Sequence, residues 1–534
     1  MMRAELVSSP AMNRAPTNES LPEGRLPLWI FAVAVIYFLL HLLTATRYGY
    51  FRDALYYLAC SEHLAWGYLD QPPLIAALAW VARHTLGTSL RALLFWPALA
   101  GAARIVLTAA FARELGARRF GTVLAAVLSA TPPVWYVIDH QFAMNAFEPL
   151  FWTGCAYVIL RMIKTGNARL WLAFGAVSGL GLQNKYSVAV FAFGLLVGLL
   201  LTPQRKLLLT PWLFAGGSVA LLIFLPNLIW NAQHHWPFLE LMHNIRVSGK
   251  DVALSPLAYL GQQILMAGPF SFPFWFAGLP FYLLSRHAKS YRVFGWAFAI
   301  TIAFFLIAHG KDYYSAPAYA VVLAAGAVAA ERFLAAPLFD ARLRLRAVLR
   351  PLAFAWLLAG VLLILPVILP VLPIDGFLKF QERFPIQSAR TERSQIGAAL
   401  PQYYADEFNW QEMVQAVARV YQTLTPEEQA KTAIFTENYG EAAAIDFFGP
   451  RYGLPKAISG HQSYFFWGPR NYTGEIVIRV GAPIDDVKPG YENVAVAATI
   501  ENPYALYYET RPILLCRRRK ENYQTQWAKV KKWE

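Results

Sequence analysis

The number and length of the apolar runs constrain the fold of this chain more than any other feature. About eleven such runs fill roughly the first 372 residues. A run of about twenty apolar residues crosses the hydrocarbon core of a bilayer as a helix, and each loop returns the chain to water. The sequence therefore predicts a polytopic α-helical membrane protein. The predicted spans are residues 27–45, 92–112, 120–138, 146–163, 170–184, 187–201, 211–231, 262–284, 293–309, 314–334 and 351–372.

Lysine and arginine residues set the predicted orientation of these spans. If the N-terminus is cytoplasmic, the loops on that side carry clusters such as Arg113, Arg118 and Arg119, whereas the opposite loops are poorer in positive charge. An odd number of spans then exports residues 373–534. Residues 1–26 are polar and are predicted to form a disordered cytoplasmic tail, and the long apolar run after them is predicted to be a retained anchor.

The net charge of +14 has a simple origin in this topology. Residues 373–534 carry nineteen basic and nineteen acidic side chains, so the whole excess lies in the membrane part. Because cytoplasmic loops of membrane proteins are rich in lysine and arginine, no nucleic-acid partner is needed to explain the charge. The three cysteines are scattered and predict neither a disulfide framework nor a metal site of the CxxC type. They are Cys60, Cys155 and Cys516.

Residues 373–516 are predicted to form an exported α/β domain. Apolar residues recur every three or four positions over 409–424, which predicts a helix. A buried strand is predicted over 432–436, followed by a polar turn and a helix over 441–448. Further strands are predicted near residues 474–480, 494–500 and 504–516.

Two parts of this exported region could have a functional role. Glu437 and Glu441 flank the turn between the first strand and its helix, where they could contact an acceptor or simply stabilise the helix N-terminus. Residues 517–534 form a basic tail, which either lies on anionic headgroups or is a disordered end.

The predicted external loop, residues 46–91, combines charged and aromatic side chains. Arg52 and Asp53 stand beside Tyr56 and Tyr57, and Asp70 follows in a segment that ends in two prolines. Residues 74–86 are apolar on most faces but too short to cross a bilayer, so they are predicted to lie flat in the interface.

Further polar groups are predicted on the same side of the membrane, at the ends of the spans. A lysine at membrane depth costs roughly 2.5–3.5 kcal/mol on insertion scales and therefore usually has an anionic partner, such as a phosphate or a carboxylate. The groups are Asp139, His140, Gln141, Asn145, Glu148, Lys185, Lys311, Asp312, Tyr313 and Tyr314, with the histidines of residues 234–243 in a further loop.

These motifs together resemble glycosyltransferase family 39, which includes protein O-mannosyltransferases and the aminoarabinose transferases that modify lipid A. The resemblance covers about 370 residues, and it implies a GT-C-like fold and a bacterial inner membrane location. It also implies a polyprenyl-phosphate-linked sugar donor and inverting transfer to an acceptor outside the membrane. The motifs are the loop with Asp53, the segment Tyr68–Leu74, the turn Gly179–Tyr186, and Lys311–Tyr314 before Pro317.

The chain departs from the family at two positions of the first loop. Family members typically have glutamate after the loop aspartate, where this chain has Ala54. Aminoarabinose transferases tend to have lysine where this chain has Gln71, which argues against an aminoarabinose donor. At the second acidic position of the family, Asn145 and Glu148 are the available residues.

The resemblance and the chemistry of glycosyl transfer predict roles for these residues. Transfer from a lipid phosphate needs a base for the acceptor proton and cations for the departing phosphate. Asp53 is the candidate base, and Lys185, Lys311 and, more weakly, Arg52 are candidates for binding the phosphate. Sugar contacts are predicted for the tyrosines at 56, 57, 313 and 314. Asp70, Glu148 and Asn145 are predicted to lie near the substrate, and a divalent metal at Asp70 or Glu148 is left open because no ligand spacing demands one.

Two other classes of function remain at this stage. A lipid or solute transporter would also have many spans, but such folds often contain two similar halves, and this sequence shows no internal repeat. In a non-catalytic subunit for polysaccharide assembly, Asp53 would be dispensable and would merely pair with Arg52. The sequence does not identify the sugar or the oligomeric state. The acceptor could be lipid A, another glycan, a glycolipid or a protein hydroxyl, and membrane lipids are the remaining predicted partners.

Overall fold

The computed structural model describes residues 26–250, 254–336, 343–386 and 399–534. A helical bundle occupies the first three of these ranges, and a smaller unit that contains a β-sheet occupies the last. The predicted cytoplasmic tail, residues 1–26, lies outside the described residues apart from Leu26.

The helices of the bundle follow one another through short connections. Short 3-10 helices occupy Pro203–Leu209, Arg286–Tyr291 and Asp312–Ala318. The α-helices are α1 Leu28–Thr44, α2 Arg52–Glu62, α3 Leu74–Thr85, α4 Leu90–Glu114, α5 Arg119–Ser129, α6 Pro133–Asp139, α7 Met144–Thr165, α8 Leu170–Asn184, α9 Val188–Leu200, α10 Pro211–Gln233, α11 Pro237–Ser248, α12 Pro256–Ala267, α13 Phe272–Leu284, α14 Arg292–Ile307, α15 Tyr319–Leu334, α16 Leu343–Ile368 and α17 Ile374–Arg383.

The bundle is that of a multi-pass membrane protein. Within the described residues, five helices are long and apolar enough to cross a membrane, or eight if each bent pair counts as one span. The predicted number of eleven spans is therefore not confirmed.

Helix breaks account for part of this difference. The predicted span 120–138 consists of α5 and α6, which meet at 59°, and the predicted span 262–284 corresponds to α12 and α13, which meet at 111°. Pro132 and Pro133 lie at the first break, where the missing N–H groups interrupt helical hydrogen bonding. At the second break, Gly268 has a positive φ of 91°, a conformation that glycine adopts without strain.

One buried ion pair joins three helices inside the bundle. Arg104 on α4 pairs with Asp139 on α6 at 3.0 Å, and the Tyr37 hydroxyl on α1 donates to the same carboxylate at 2.8 Å. The Arg104 guanidinium also lies 3.7 Å from the ring centroid of Trp135. Asp139, which was grouped with the external polar residues, is the last residue of α6, and its carboxylate is fully buried as the counter-ion of Arg104.

Helices α8 and α10 pack closely because each presents a glycine to the other. A β-carbon on Gly175 would overlap the carbonyl oxygen of Gly216, and one on Gly216 would overlap the carbonyl oxygen of Trp171. Small residues at such a crossing let the two backbones approach, and dispersion contacts then stabilise the pair.

The second unit has the predicted α/β character. Its strands β1 to β5 form one mixed sheet in the order β2-β1-β3-β5-β4, in which β1 is parallel to β2 and β3, and β5 is antiparallel to β3 and β4. The elements are α18 Gln402–Ala405, α19 Trp410–Gln422, α20 Pro426–Lys431, β1 Thr432–Thr436, α21 Tyr439–Phe448, β2 Ile458–Ser459, α22 Tyr464–Trp467, β3 Ile476–Val480, α23 Ile484–Val487, β4 Tyr491–Ala498, β5 Ile513–Arg519 and α24 Tyr523–Gln526.

The end of the chain is part of this unit. Strand β5 continues through Arg519, so the first three residues of the predicted basic tail belong to the sheet. Tyr523 is fully buried, and Trp533 packs against Leu69 and Leu241 of the bundle. Residues 517–534 therefore connect the sheet to the bundle.

We predict that the close packing of α8 and α10 at their glycines stabilises the folded bundle. Gly175→Leu should lower the melting temperature in detergent, because overpacking costs on the order of 1–3 kcal/mol. Gly217→Leu is the matched control, since Gly217 is exposed and a β-carbon there meets nothing within 4 Å. Equal melting temperatures for the two variants would contradict the prediction.

Candidate active site

A cavity of about 490 Å³ lies where the bundle meets the C-terminal unit. Its apolar lining comes from α6, α12 and α16, with residues such as Val137, Met266 and Val361. Its polar lining comes from the start of α2, the start of α7, the 312–318 turn and α18. A cavity with both kinds of wall suits an amphipathic ligand. The polar lining residues include Arg52, Asp53, Gln141, Asn145, Lys311, Asp312, Tyr313, Gln402 and Asp406.

Asp53 stands in the first turn of α2, at the cavity wall. A carboxylate is favoured there by the helix dipole. Its Oδ1 accepts a hydrogen bond from the Tyr439 hydroxyl at 2.7 Å and lies 3.7 Å from Nε of Arg52. The side chain is 29% exposed, so the carboxylate can meet a ligand in the cavity.

Arg52 connects α2 to the C-terminal unit. Its Nη1 lies 3.5 Å from the buried carboxylate of Asp406, and its backbone N–H donates to the Asp406 carbonyl at 3.1 Å. A β-carbon at Gly440 would collide with the Arg52 side chain, so the start of α21 lies directly on this arginine. The cation therefore interacts with both Asp53 and Asp406.

Lys311 and Tyr313, which were both predicted as site residues, line the cavity. They stand at the start of the 3-10 helix that leads into α15, and Asp312 between them accepts the backbone N–H of Tyr313 at 2.9 Å. Tyr314 instead faces Lys185, whose Nζ lies 4.8 Å from the tyrosine ring centroid. The two tyrosines of this motif thus have different surroundings.

Lys185 is held in a polar cluster behind the cavity wall. Its Nζ pairs with Glu148 at 3.0 Å and donates to Asn145 Oδ1 at 2.6 Å, and Ser187 donates to the other oxygen of Glu148. Asn145 lines the cavity, whereas Lys185 and Glu148 are 12% and 2% exposed and are absent from its described lining. The geometry therefore gives Lys185 an intramolecular anion and makes it a support for Asn145.

Tyr56, Tyr57 and Asp70 are absent from the described lining of the cavity. Tyr56 donates to Asp70 Oδ1 at 3.0 Å and accepts the backbone N–H of Ser463 at 3.2 Å. Both tyrosines are buried. Removal from water raises the pKa of Asp70 to about 7, against the opposing effect of the Tyr56 hydrogen bond. This group joins the first loop to the C-terminal unit.

Tyr439 and Asp406 are residues that sequence reasoning did not place at the site. The strand, turn and helix around Tyr439 were predicted, but Glu437 and Glu441 were the residues considered for contact with an acceptor. Glu437 instead pairs with Arg479, and Glu441 accepts the backbone N–H groups of residues 437 and 438 at 3.1 Å in a capping box. The alternative of a structural helix-cap glutamate is confirmed for Glu441.

The described residues contain no group of three or more His, Cys, Asp or Glu side chains that could hold a metal ion. The histidines of residues 234–243 therefore form no such group, and neither do the carboxylates around Asp53.

Comparison with known proteins matches part of the chain to a sugar-transferring family. Residues 70–230 match the family model described as dolichyl-phosphate-mannose-protein mannosyltransferase, which confirms the resemblance found in the sequence. The chain is 28% identical over 190 residues to the lipid A galacturonosyltransferase RgtD of Rhizobium johnstonii, covering 35% of this chain and 39% of the relative. It is also 28% identical over 207 residues to the lipopolysaccharide core galacturonosyltransferase RgtB of that organism, covering 38% and 42%. The chain thus matches about two fifths of the length of each relative.

Solved structures show a similar fold over most of the chain. ArnT from Cupriavidus metallidurans bound to undecaprenyl phosphate is 14% identical, with a TM-score of 0.57, and the match covers 91% of this chain and 97% of that one. The archaeal oligosaccharyltransferase AglB from Archaeoglobus fulgidus, in complex with an inhibitory peptide and a dolichol-phosphate, is 13% identical. Its TM-score is 0.51, and the match covers 85% of this chain and 69% of that one. The chain therefore has a GT-C-like fold with a small C-terminal sheet.

We predict that the ion pair between Lys185 and Glu148 stabilises the bundle. Lys185→Met should lower the melting temperature strongly, because leaving a buried charge without its partner costs about 3–5 kcal/mol. Adding Glu148→Gln removes the stranded charge and should restore part of the loss. If the two substitutions lower the melting temperature additively, the charges are not coupled and the prediction is wrong.

Asp70 should make stability depend on pH. Its pKa is about 7 in the folded protein and lies near its ordinary value of 3.8 when unfolded, so the unfolded state releases this proton more readily. The stabilising effect is fully present below the unfolded value and is lost as pH rises through the folded value. Between about pH 4 and about pH 7, the melting temperature of the wild type should therefore fall more steeply with pH than that of Asp70→Asn. Parallel curves for the two proteins would argue against this role.

Proposed function

We propose, from the premise that this chain is a relative of glycosyltransferase family 39, that it transfers a sugar from a polyprenyl-phosphate donor to an acceptor of the bacterial cell envelope. The observation that carries the proposal is the position of Asp53. This carboxylate belongs to one of the motifs that resemble the family. It lies at the wall of a cavity that is also lined by cationic side chains and by three apolar helices.

The apolar wall of the cavity would bind the lipid part of the donor, and the polar wall would bind its phosphate and sugar. Residues of α6, α12 and α16 would hold the first isoprene units of the lipid, since burial of each apolar side chain or chain segment is favourable by roughly 25 cal/mol per Å². Lys311 and Arg52 would then meet the phosphate, and the sugar would lie beside Asn145 and Tyr313. Lys185 would act through Asn145, because its own charge is matched by Glu148.

The reaction follows from this placement. Asp53 accepts the proton of the acceptor hydroxyl while that oxygen attacks the anomeric carbon. The bond from this carbon to the phosphate oxygen breaks on the opposite face, so the anomeric configuration inverts. The electron pair stays on the polyprenyl phosphate, whose charge Lys311 and Arg52 stabilise electrostatically. A phosphate is a good leaving group, so no general acid is required.

We propose galacturonic acid as the donor sugar and lipid A or the lipopolysaccharide core as the acceptor. The relatives with 28% identity are named for these activities. The position at which aminoarabinose transferases have lysine holds Gln71, which is fully buried and contacts Cys60 at 3.7 Å. This chain therefore lacks the cation that aminoarabinose transferases have at this position, which supports a donor other than aminoarabinose.

The proposal places the enzyme in the inner membrane with its active site outside the cytoplasm. The loops on the same side as the N-terminus are rich in arginine, which supports a cytoplasmic N-terminus and this orientation. The transmembrane part, residues 27–372, would then perform the transfer, with the loop 46–91 and the α/β unit, residues 373–516, in the periplasm. Membrane lipids surround the bundle, and nucleic acid has no part in the function.

We predict that Asp53→Asn abolishes transfer. Membranes that contain the wild type should move galacturonic acid from its undecaprenyl-phosphate donor to lipid A or core acceptor. The variant should be slower by about 10²–10⁴-fold, because asparagine cannot take the acceptor proton. The measurement is radiolabelled or mass-shifted acceptor, normalised to the amount of inserted protein.

Asp485→Asn is the control, since this carboxylate is 87% exposed on the C-terminal unit. Undiminished turnover by Asp53→Asn would remove Asp53 from the role of base. Absence of turnover by the wild type with a panel of polyprenyl-phosphate sugars would instead favour transport or assembly.

A further inference from the structure

We infer that the C-terminal unit completes the active site, with Tyr439 as the positioning residue of Asp53. The inference rests on the proposed function, because it assigns a partner to the proposed base. It gives a chemical role to a unit that could otherwise serve only as a platform for the acceptor. The contact that carries it is the 2.7 Å hydrogen bond from the Tyr439 hydroxyl to Asp53 Oδ1.

Contacts at the start of α21 fix the backbone of Tyr439. Asn438 and Glu441 form a capping box, so the helix begins at a defined residue, and Tyr439 is the first residue of that helix. The backbone N–H of Tyr439 donates to Nδ1 of His461 at 3.1 Å. Both contacts lie within the C-terminal unit.

The ring of Tyr439 is held from the side of the bundle. Its centroid lies 4.7 Å from that of Tyr56 and 5.4 Å from the Arg52 guanidinium carbon. The neighbouring Gly440 packs against the Arg52 side chain so closely that a β-carbon would collide with it. The hydroxyl therefore has a position that both units determine.

This arrangement distinguishes the two oxygens of the Asp53 carboxylate. Tyr439 and Arg52 both contact Oδ1. The inference therefore assigns uptake of the acceptor proton to Oδ2. One tyrosine hydroxyl donating to a carboxylate also stabilises the charged form, which is the form that acts as a base.

The charges around the pair support a neutral, donating tyrosine. Arg52 faces it from α2, with Asp406 behind that arginine, and Asp70 faces it from the loop after α2. Burial, followed by the effect of the Asp53 and Asp70 carboxylates, raises the pKa of Tyr439 well above its ordinary value, and Arg52 opposes this. The hydroxyl keeps its proton over the working range of pH.

Tyr439→Phe tests the inference, because it removes the hydroxyl and keeps the ring. Using the donor that the wild type turns over, we expect kcat to fall about 10- to 100-fold, the effect of one hydrogen bond to a charged group. The KM for the donor should stay within about twofold, because the bond is to Asp53 and not to the donor. The pH dependence of kcat should also change, because the lost hydroxyl contacts the group that takes the acceptor proton.

Tyr464→Phe is the matched control. Tyr464 is a buried tyrosine of the same unit, and its hydroxyl donates to the Asp446 carboxylate at 3.0 Å. This variant loses the same kind of bond away from Asp53. It should keep the kcat, KM and pH profile of the wild type, whatever the change in melting temperature.

A second measurement does not depend on turnover. Asp53 can be labelled with a water-soluble carbodiimide, which reacts with the protonated carboxyl group, and the labelled peptide can be quantified by mass spectrometry. Labelling at a fixed mildly acidic pH should be faster in Tyr439→Phe than in the wild type. Tyr464→Phe should label Asp53 at the wild-type rate.

The outcomes separate this inference from the proposed function. If Asp53→Asn is inactive but Tyr439→Phe matches Tyr464→Phe in kcat, pH profile and labelling, the role of Tyr439 is overturned and the transferase stands. If Tyr439→Phe changes KM and melting temperature while the pH profile and labelling stay unchanged, its role is merely structural and the inference also fails. Full activity of Asp53→Asn would overturn the proposed base itself.

Discussion

The docking of α21 onto α2 is the contact on which the arrangement of the site depends. Arg52 is held by Asp406 and lies directly beneath Gly440, and Asp53 next to it accepts the hydroxyl of Tyr439. These contacts join residues nearly four hundred positions apart, so neither half of the chain has the site alone. Because α2 belongs to a loop between two longer helices, its orientation is determined by the unit that packs on it.

Two cations inside the bundle pair with a carboxylate on another helix. Arg104 is paired with Asp139, and Lys185 with Glu148. An isolated charge at this depth is costly, whereas a pair with further hydrogen bonds is tolerated. The second pair also orients a residue of the cavity wall, because Asn145 accepts a hydrogen bond from the lysine that Glu148 holds.

Local patterns in the sequence predicted much of the fold and part of the site. Helix α19 was predicted from periodicity, strand β1 and the helix after it were predicted as a buried strand followed by a polar turn and a helix, and five predicted site residues line one cavity. Other features of the site depend on packing between distant parts of the chain. The aromatic pair Tyr56 and Tyr57 is buried under the C-terminal unit, and the partner of Lys185 lies 37 positions away. Tyr439 could not be recognised, because its role arises only when the two units meet.

Helix α16 has a consequence for the kind of lipid that the cavity accepts. One face of this helix lines the cavity with Leu357, Val361 and Ile364, and the other exposes Leu358 and Leu362. A single helix therefore separates the cavity from the surrounding acyl chains. A long isoprenoid would need to place only its head and first units inside, while its remainder stays dissolved in the bilayer. If the proposed function holds, the protein would recognise the phosphate end of the carrier and would accept carriers with different numbers of isoprene units.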